Sequence, residues 1–166
     1  MINTFYSIQN FRAWTEAQTN GFLSGHSEFI DPDFINPYCW IVAQMKRRLT
    51  VYEGEYPIWL WSIRPDLRRT GYLKKGTKAV LLEIEISNDR VLLSDFQAWH
   101  CVLNRWTLED HKGEDISMEK SWERIFDLEY LKTHPDWGQF NELDIQGVTD
   151  KIYLSQIKSV KLFICK

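Results

Sequence analysis

A chain of 166 residues with a formal net charge of −3 has room for one well-buried core and lacks the positive surplus that draws a protein onto nucleic acid or anionic membrane. Its hydrophobic fraction of 44% and charged fraction of 26% exclude a disordered chain. Cys39, Cys101 and Cys165 are odd in number and widely spaced, which excludes a disulfide framework and fits reduced thiols. No apolar run reaches membrane-spanning length, and the N-terminus has no basic and apolar leader. A cytoplasmic protein without membrane association is therefore expected, folded as a single domain over residues 1–166.

Taken in order, Thr4–Ile8 reads as a first strand from its β-branched and aromatic residues. Asn10 can cap a helix through about Asn20, with Phe11, Trp14 and Gln18 on one side and Gly21 as its stop. Ser24–Asp33 is polar and punctuated, so it reads as a loop. Asn36-Pro37 opens a second helix with proline at the first position, and Tyr38, Ile41, Val42, Met45 and Leu49 form its inward stripe. Lys46, Arg47 and Arg48 suit the dipole of its last turn.

Tyr56–Arg64 is apolar almost throughout, as expected of a strand covered on both faces near the middle of a sheet, with Pro57 at its beginning. Leu67–Thr77 is a basic connection. From Arg64 to Lys78 the chain carries Arg64, Arg68, Arg69, Lys74, Lys75 and Lys78 against Asp66 alone, a run that can hold phosphate or simply be solvated. Ala79–Ile86 is a strand with one more exposed end, and Asn88-Asp89 is a turn.

Val91–Leu93 then runs into a helix signal at Ser94. Ser94 with Gln97 three residues on has capping-box spacing. Beyond it Asp95, Trp99, Val102 and Trp106 share one helical face, with Phe96 and Leu103 beside them and Gln97, His100 and Asn104 opposite. Glu109–Glu114 is a charged loop. Met118, Trp122, Ile125 and Phe126 mark another amphipathic helix that stops before Pro135. Leu143–Val148 and Val160–Cys165 read as strands, while Ile152–Ile157 fits either strand or short helix. Strands and helices interleave without regular βαβ spacing. The expected class is α+β, with a central mixed or antiparallel sheet flanked by about three to four helices.

The eight tryptophans are spread over the whole chain, so aromatic packing should dominate the core. Trp is rarely buried completely, and Trp59, Trp61 and Trp99 are the best candidates to wall a cleft. No dinucleotide-type or Walker-type glycine loop occurs, and no Gly-x-Ser-x-Gly elbow. No Cys or His pair has metal-ligand spacing; His100 and Cys101 point about a hundred degrees apart on a helix. Asp95 and His100, five residues apart, do not line up as a dyad. A lone His on the polar edge of a helix is more often solvated than catalytic. No residue type here forces a mechanism.

The phrases Tyr56-Pro57-Ile58-Trp59-Leu60-Trp61, Arg64-Pro65-Asp66-Leu67-Arg68 and Val91-Leu92-Leu93-Ser94-Asp95-Phe96 resemble a bacterial family of small proteins, domain of unknown function 3841. Trp99-His100, Val102-Leu103-Asn104 and Trp122 to Leu128 extend the likeness to nearly the full chain. This resemblance implies no established activity. In layout, the opening strand with Tyr6, the helix and Gly21-Phe22-Leu23 are similar to the start of ADP-ribosyltransferase-like domains. Many of those end on a strand bearing Gln-x-Glu, whose Glu orients the nicotinamide ribose. Gln146-Gly147-Val148 resembles that strand, with valine where the carboxylate would stand and Asp144 and Asp150 flanking it.

The resemblance implies a cleft for a nucleotide or NAD-like ligand, with Trp59, Trp61, Trp99 or Tyr6 stacking on its apolar part and Arg64, Arg68 and Arg69 on phosphate. Asp95, His100, Asn104 and Gln146 are the remaining candidate ligand contacts; no catalytic residue or metal is assigned. NAD is the cofactor compatible with this layout. Two other readings stand beside it: a single-stranded nucleic-acid-binding module using the same Arg and Trp groups, and an interaction protein of a bacterial regulatory or defence pair.

Overall fold

In a computed structural model, the described residues are 1–134 and 144–166. Strand β1 (Ile2–Asn10) leads into helix α1 (Phe11–Asn20) and the short strand β2 (Phe22–Ser24). Helix α2 (Ile35–Arg48), strand β3 (Ile58–Trp61), strand β4 (Lys78–Ser87) and strand β5 (Leu92–Asp95) follow, then helix α3 (Phe96–Leu103). Helices α4 (Met118–Trp122) and α5 (Leu128–Thr133) precede strands β6 (Ile145–Thr149), β7 (Lys151–Tyr153) and β8 (Ile157–Ile164). The fold is α+β, with five α-helices among the described residues, two of them of only five and six residues. Six strands form one sheet in the order β5-β6-β3-β1-β4-β8, and every neighbouring pair is antiparallel. β2 and β7 make a separate two-stranded ribbon. Among the described residues no helix is long and apolar enough to cross a membrane.

The two-residue side-chain period of the strands divides the interior into two clusters, one on each face of the sheet. Ile58 and Leu60 of β3, Phe5 of β1 and Val80, Leu82, Ile84 and Ile86 of β4 pack with Ala13 and Ala17 of α1. On the other face Trp59 and Val148, paired across β3 and β6, pack with Ile41 and Met45 of α2 and Ala98, Trp99 and Val102 of α3. Trp122, Ile125 and Leu131 close that second cluster. β3 is thus covered on both sides in mid-sheet, as its apolar run predicts, though only Ile58–Trp61 is paired and Ile63 and Arg64 leave the ladder.

Several element ends differ from expectation for identifiable reasons. Asn10 and Gly21 do cap α1: the Asn10 side chain accepts from the Arg12 N–H, and Gly21 takes a left-handed φ of 85° while its N–H reaches the Ala17 carbonyl. α3, however, is capped by Asp95 and not Ser94. β5 pairs with β6 as far as Asp95 opposite Ile145, so Ser94 stays in the ladder facing Gln146. The Asp95 carboxylate then accepts from the Ala98 N–H at 2.7 Å. The same helix stops at Leu103, and Arg105 turns the chain with φ 56°. Trp106 therefore leaves the face of Trp99 and is 61% exposed.

α2 begins at Ile35, two residues before Pro37, because a 3-10 turn over Pro32–Phe34 capped by Asp31 runs directly into it. The helix expected from Met118 breaks into α4, a 3-10 turn over Glu123–Phe126, and α5, which Asp127 caps through the Tyr130 N–H. The segment Ile152–Ile157 is mostly neither pure strand nor helix: β7 passes into a 3-10 turn over Leu154–Gln156 before β8. Trp137 and the start of the strand expected from Leu143 lie outside the described residues.

A buried carboxylate ties three loops together. Asp150, with no exposed surface, accepts the backbone N–H groups of Glu53 and Gly54, the latter at 3.0 Å, and a guanidinium N–H of Arg90 at 3.2 Å. Burial by itself would raise this carboxyl, but the hydrogen bonds of Glu53, Gly54 and Arg90 hold it below the ordinary carboxylate value. Its stabilisation is therefore present above about pH 4 and fades as pH falls through the depressed value. Replacing Asp150 by Asn should cost about 2–3 kcal/mol at neutral pH, since Arg90 keeps its charge in a site only 18% exposed. Urea unfolding from pH 7 to pH 3 should show that difference shrinking in acid; a pH-independent gap would contradict this account. Gly54 approaches the same residue so closely that a Cβ would overlap the Asp150 carbonyl oxygen. Gly54→Ala is expected to lose about 1–3 kcal/mol in the same unfolding measurement.

Candidate ligand cleft

The face of the sheet that carries α2 and α3 is covered only in part. Between those helices and the 62–73 connection lies a cleft of about 840 Å³, within the range of small-molecule sites. Its floor is aromatic, set by strand alternation: Trp59 and Trp61 of β3 project to this face, and α3 brings Phe96, Trp99 and His100 over them. Trp59 and Trp99 lie 5.0 Å apart between ring centroids, and Trp61 and Phe96 lie 5.2 Å apart. Tyr38 from α2 stands edge-on to both Trp59 and Trp99.

Polar groups on this floor are few and directed. Trp59 donates its indole N–H to the Tyr38 hydroxyl at 3.0 Å, leaving the Tyr38 proton to be donated elsewhere. Burial pushes the Tyr38 phenol upward, so it remains neutral, and the Trp59 hydrogen bond only partly offsets this. Gln146 of β6 is 3% exposed and reaches the Ser94 hydroxyl at 3.4 Å. Asp144 lines the same end of the cleft, where it accepts from the Gln97 amide at 3.3 Å. His100 donates Nδ1–H to the Phe96 carbonyl at 2.8 Å, since a carbonyl can only accept; in the neutral ring Nε2 is then the acceptor.

The lip opposite is cationic. Asp66 organises it as a turn: its carboxylate accepts the Arg68 backbone N–H and the Nε–H and Nη2–H of that residue's guanidinium. Its carbonyl accepts the Arg69 N–H and the Tyr72 hydroxyl. The Arg68 hydrogen bonds hold the Asp66 carboxyl down to about 2, so this pair stays ionised. Arg68 is thereby engaged and does not line the cleft. Arg69 and Arg64 do line it. Arg64 has one long contact to Glu83, at 4.0 Å, and Arg69 makes no ion pair among the described residues. Arg69 feels the Asp66 carboxylate only through space, without a direct ion pair, so its guanidinium N–H groups beside the aromatic floor are a natural seat for an anionic oxygen.

Of the residues expected to form the site, Trp59, Trp61, Trp99, Arg64, Arg69, His100 and Gln146 come together in this one cleft. Four do not line it. Tyr6 is directly opposite Trp61 across the β1–β3 pair but lies beyond the lining residues. Arg68 is spent on Asp66, and Asn104 donates its amide to the His100 carbonyl at the C-terminal end of α3. Asp95 is buried as the α3 cap; burial raises its carboxyl, with the nearby Asp144 charge adding to the shift and the backbone N–H groups opposing it. Val148, at the position where a Gln-x-Glu strand would carry its carboxylate, is buried in the core. Of its flanking carboxylates, Asp144 reaches the cleft and Asp150 belongs to the loop anchor.

The residues that sequence patterns missed are Tyr38, Phe96, His26, Tyr56 and Tyr72, all of which line the cleft. Tyr38 carried the only available signal, a hydroxyl within an otherwise apolar helical stripe. Among the described residues no group of three or more His, Cys, Asp or Glu is placed to hold a metal ion. All three cysteines are free.

No curated protein and no solved structure matches the chain. A family model does, described as domain of unknown function (DUF3841), over residues 4–119. That span holds β1 to β5, α1 to α3, both arginines of the lip and every tryptophan of the floor, and it covers more than two thirds of the sequence. The chain belongs to the family described as domain of unknown function (DUF3841).

Proposed function

We propose that the cleft binds a small ligand that joins a planar ring to a phosphate, of the nucleotide or NAD class. The observation that carries this reading is Arg69, without a direct ion pair among the described residues, at the lip of a cavity whose floor is Trp59, Trp61 and Phe96. A ring would stack on Trp61, which is half-buried and makes no hydrogen bond through its indole N–H among the described residues, so that group is available to the ligand as well. Phosphate oxygens would meet Arg69 and Arg64, while Gln146, Asp144 and the Tyr38 hydroxyl offer donors and acceptors for the ring edge or a ribose. Transfer chemistry is not assigned. In an ADP-ribosyltransferase-like layout the ribose-orienting carboxylate would fall at Val148, which is buried, and of the two carboxylates flanking it Asp144 reaches the cleft.

Thermal unfolding with NAD, ADP-ribose, mononucleotides and short RNA in separate arms tests the reading. A ligand at about a hundred times its dissociation constant adds about 2.7 kcal/mol. In a chain of this length that raises the melting temperature by roughly 5–10 °C. Arg64→Ala with Arg69→Ala should weaken binding by about 10- to 100-fold, the worth of charge-assisted hydrogen bonds. Arg68→Ala should leave it unchanged, because that side chain serves Asp66. No shift with any nucleotide would sink the proposal. A shift with RNA alone, steeply lowered by salt, would move the assignment to single-stranded nucleic acid.

A further inference from the structure

The sheet ends on one side in β5, four residues long and packed against the 123–126 turn, and on the other in β8, eight residues long. β8 has β4 on one flank and, among the described residues, no strand on the other. Its hydrogen-bonding direction follows from one end of the ladder. The Cys165 N–H donates to the Thr77 carbonyl, and Lys78 is opposite Ile164, so Thr77 and Cys165 face one another. In antiparallel pairing the direction alternates. Lys161 and Phe163 thus turn their backbone groups to β4, while Val160, Leu162 and Ile164 turn theirs to the open edge. These same three residues carry exposed apolar side chains on one face of the strand, at 43%, 53% and 57%. An edge of this length with unspent N–H and C=O groups beside an apolar stripe is a template for a further strand.

The strand is also self-complementary in one register. An antiparallel copy related by a two-fold axis through Leu162 sets Leu162 against Leu162 and Val160 against Ile164, joined by the outward-facing backbone groups. On the opposite face it sets Lys161 against Phe163. A two-fold through Lys161 would bring two lysines directly opposite one another, which is unfavourable. The irregularity between Glu83 and Ile84, where β8 passes Lys158, ends regular pairing at about Ser159. Lys158 is meanwhile held by Glu85 at 2.9 Å. Lysine on an edge commonly blocks pairing altogether; here Lys161 blocks one register and leaves the other open.

We propose that β8 is the contact strand of a homodimer, in which a second copy of this chain continues the sheet across a two-fold at Leu162. Sedimentation equilibrium from low to high micromolar protein should show mass rising toward twice the 19.8 kDa of the chain. Leu162→Lys places like charges in an apolar contact and should weaken the dimer by about a hundredfold or more. Its circular dichroism and unfolding midpoint, extrapolated to the monomer, should stay as in the parent, because residue 162 is exposed in a single copy. Register is read separately by oxidising Leu162→Cys and Lys161→Cys variants in a Cys39→Ser background. Cross-linking at 162 in preference to 161 is expected, since a two-fold at Leu162 brings the two 162 Cα atoms within disulfide range. A chain that remains monomeric throughout, a dimer indifferent to Leu162→Lys, or cross-linking preferentially at 161 would each overturn the proposal.

Discussion

The fold depends on one constraint, that strand β3 must satisfy two interiors at once. Ile58 and Leu60 belong to the layer beneath α1, and Trp59 and Trp61 to the layer beneath α2 and α3. Because strand side chains alternate, neither set can move without inverting the other; a one-residue slip would bury the wrong pair on each side. The Ser7 hydroxyl, fully buried, fixes this register by donating to the Trp59 carbonyl at 2.8 Å. The cleft exists because the second layer is incomplete. α3 lays Trp99 over Trp59 but leaves Trp61 half-buried, and the Asp66 turn supplies the missing wall as charge instead of helix.

This arrangement separates residues that hold the fold from residues that face the cavity, even where they are neighbours in sequence. Asp95 and Ser94 are committed to the cap of α3 and to the ladder, while Phe96 and His100, a turn further on, present rings to the open space. Arg68 and Arg69 divide in the same way. The first is hydrogen-bonded to the carboxylate that shapes the turn, and the second, without a direct ion pair among the described residues, lines the cleft. A basic run therefore contains both scaffold and candidate contact, and only tertiary structure distinguishes them.

The class of fold, the mid-sheet place of β3 and the caps of α1 were legible because each rests on local periodicity or on a cap and stop, Asn10 and Gly21. The tryptophans of the cleft were legible because Trp59 and Trp61 alternate in a strand and so must share a face. What could not be read depended on pairing between distant segments. The shift of the α3 cap from Ser94 to Asp95 follows from a ladder with β6, more than fifty residues away. Asp150 gives no local sign of its role, because its partners Glu53, Gly54 and Arg90 lie in two remote loops. Tyr38 looked like core because its helical stripe points inward; that the interior there is partly open is a property of the whole layer.

The position of β6 also has a consequence in time. It lies between β5 and β3, yet it is made last of the three, 84 residues after the end of β3 counted from Trp61 to Ile145. At ribosomal rates of about 5–20 residues per second, that is an interval of roughly 4–17 s during which the nascent chain has no occupant for the place beside β3. Trp59 and Trp61 must wait with one flank of β3 unpaired, and Leu92 with no strand beside β5, a state prone to wrong partners and to capture by chaperones. Long-range closure of this kind makes folding slow relative to a chain whose neighbours in space are neighbours in sequence. The sheet is sealed from the inside, by a strand that arrives after both of its flanks.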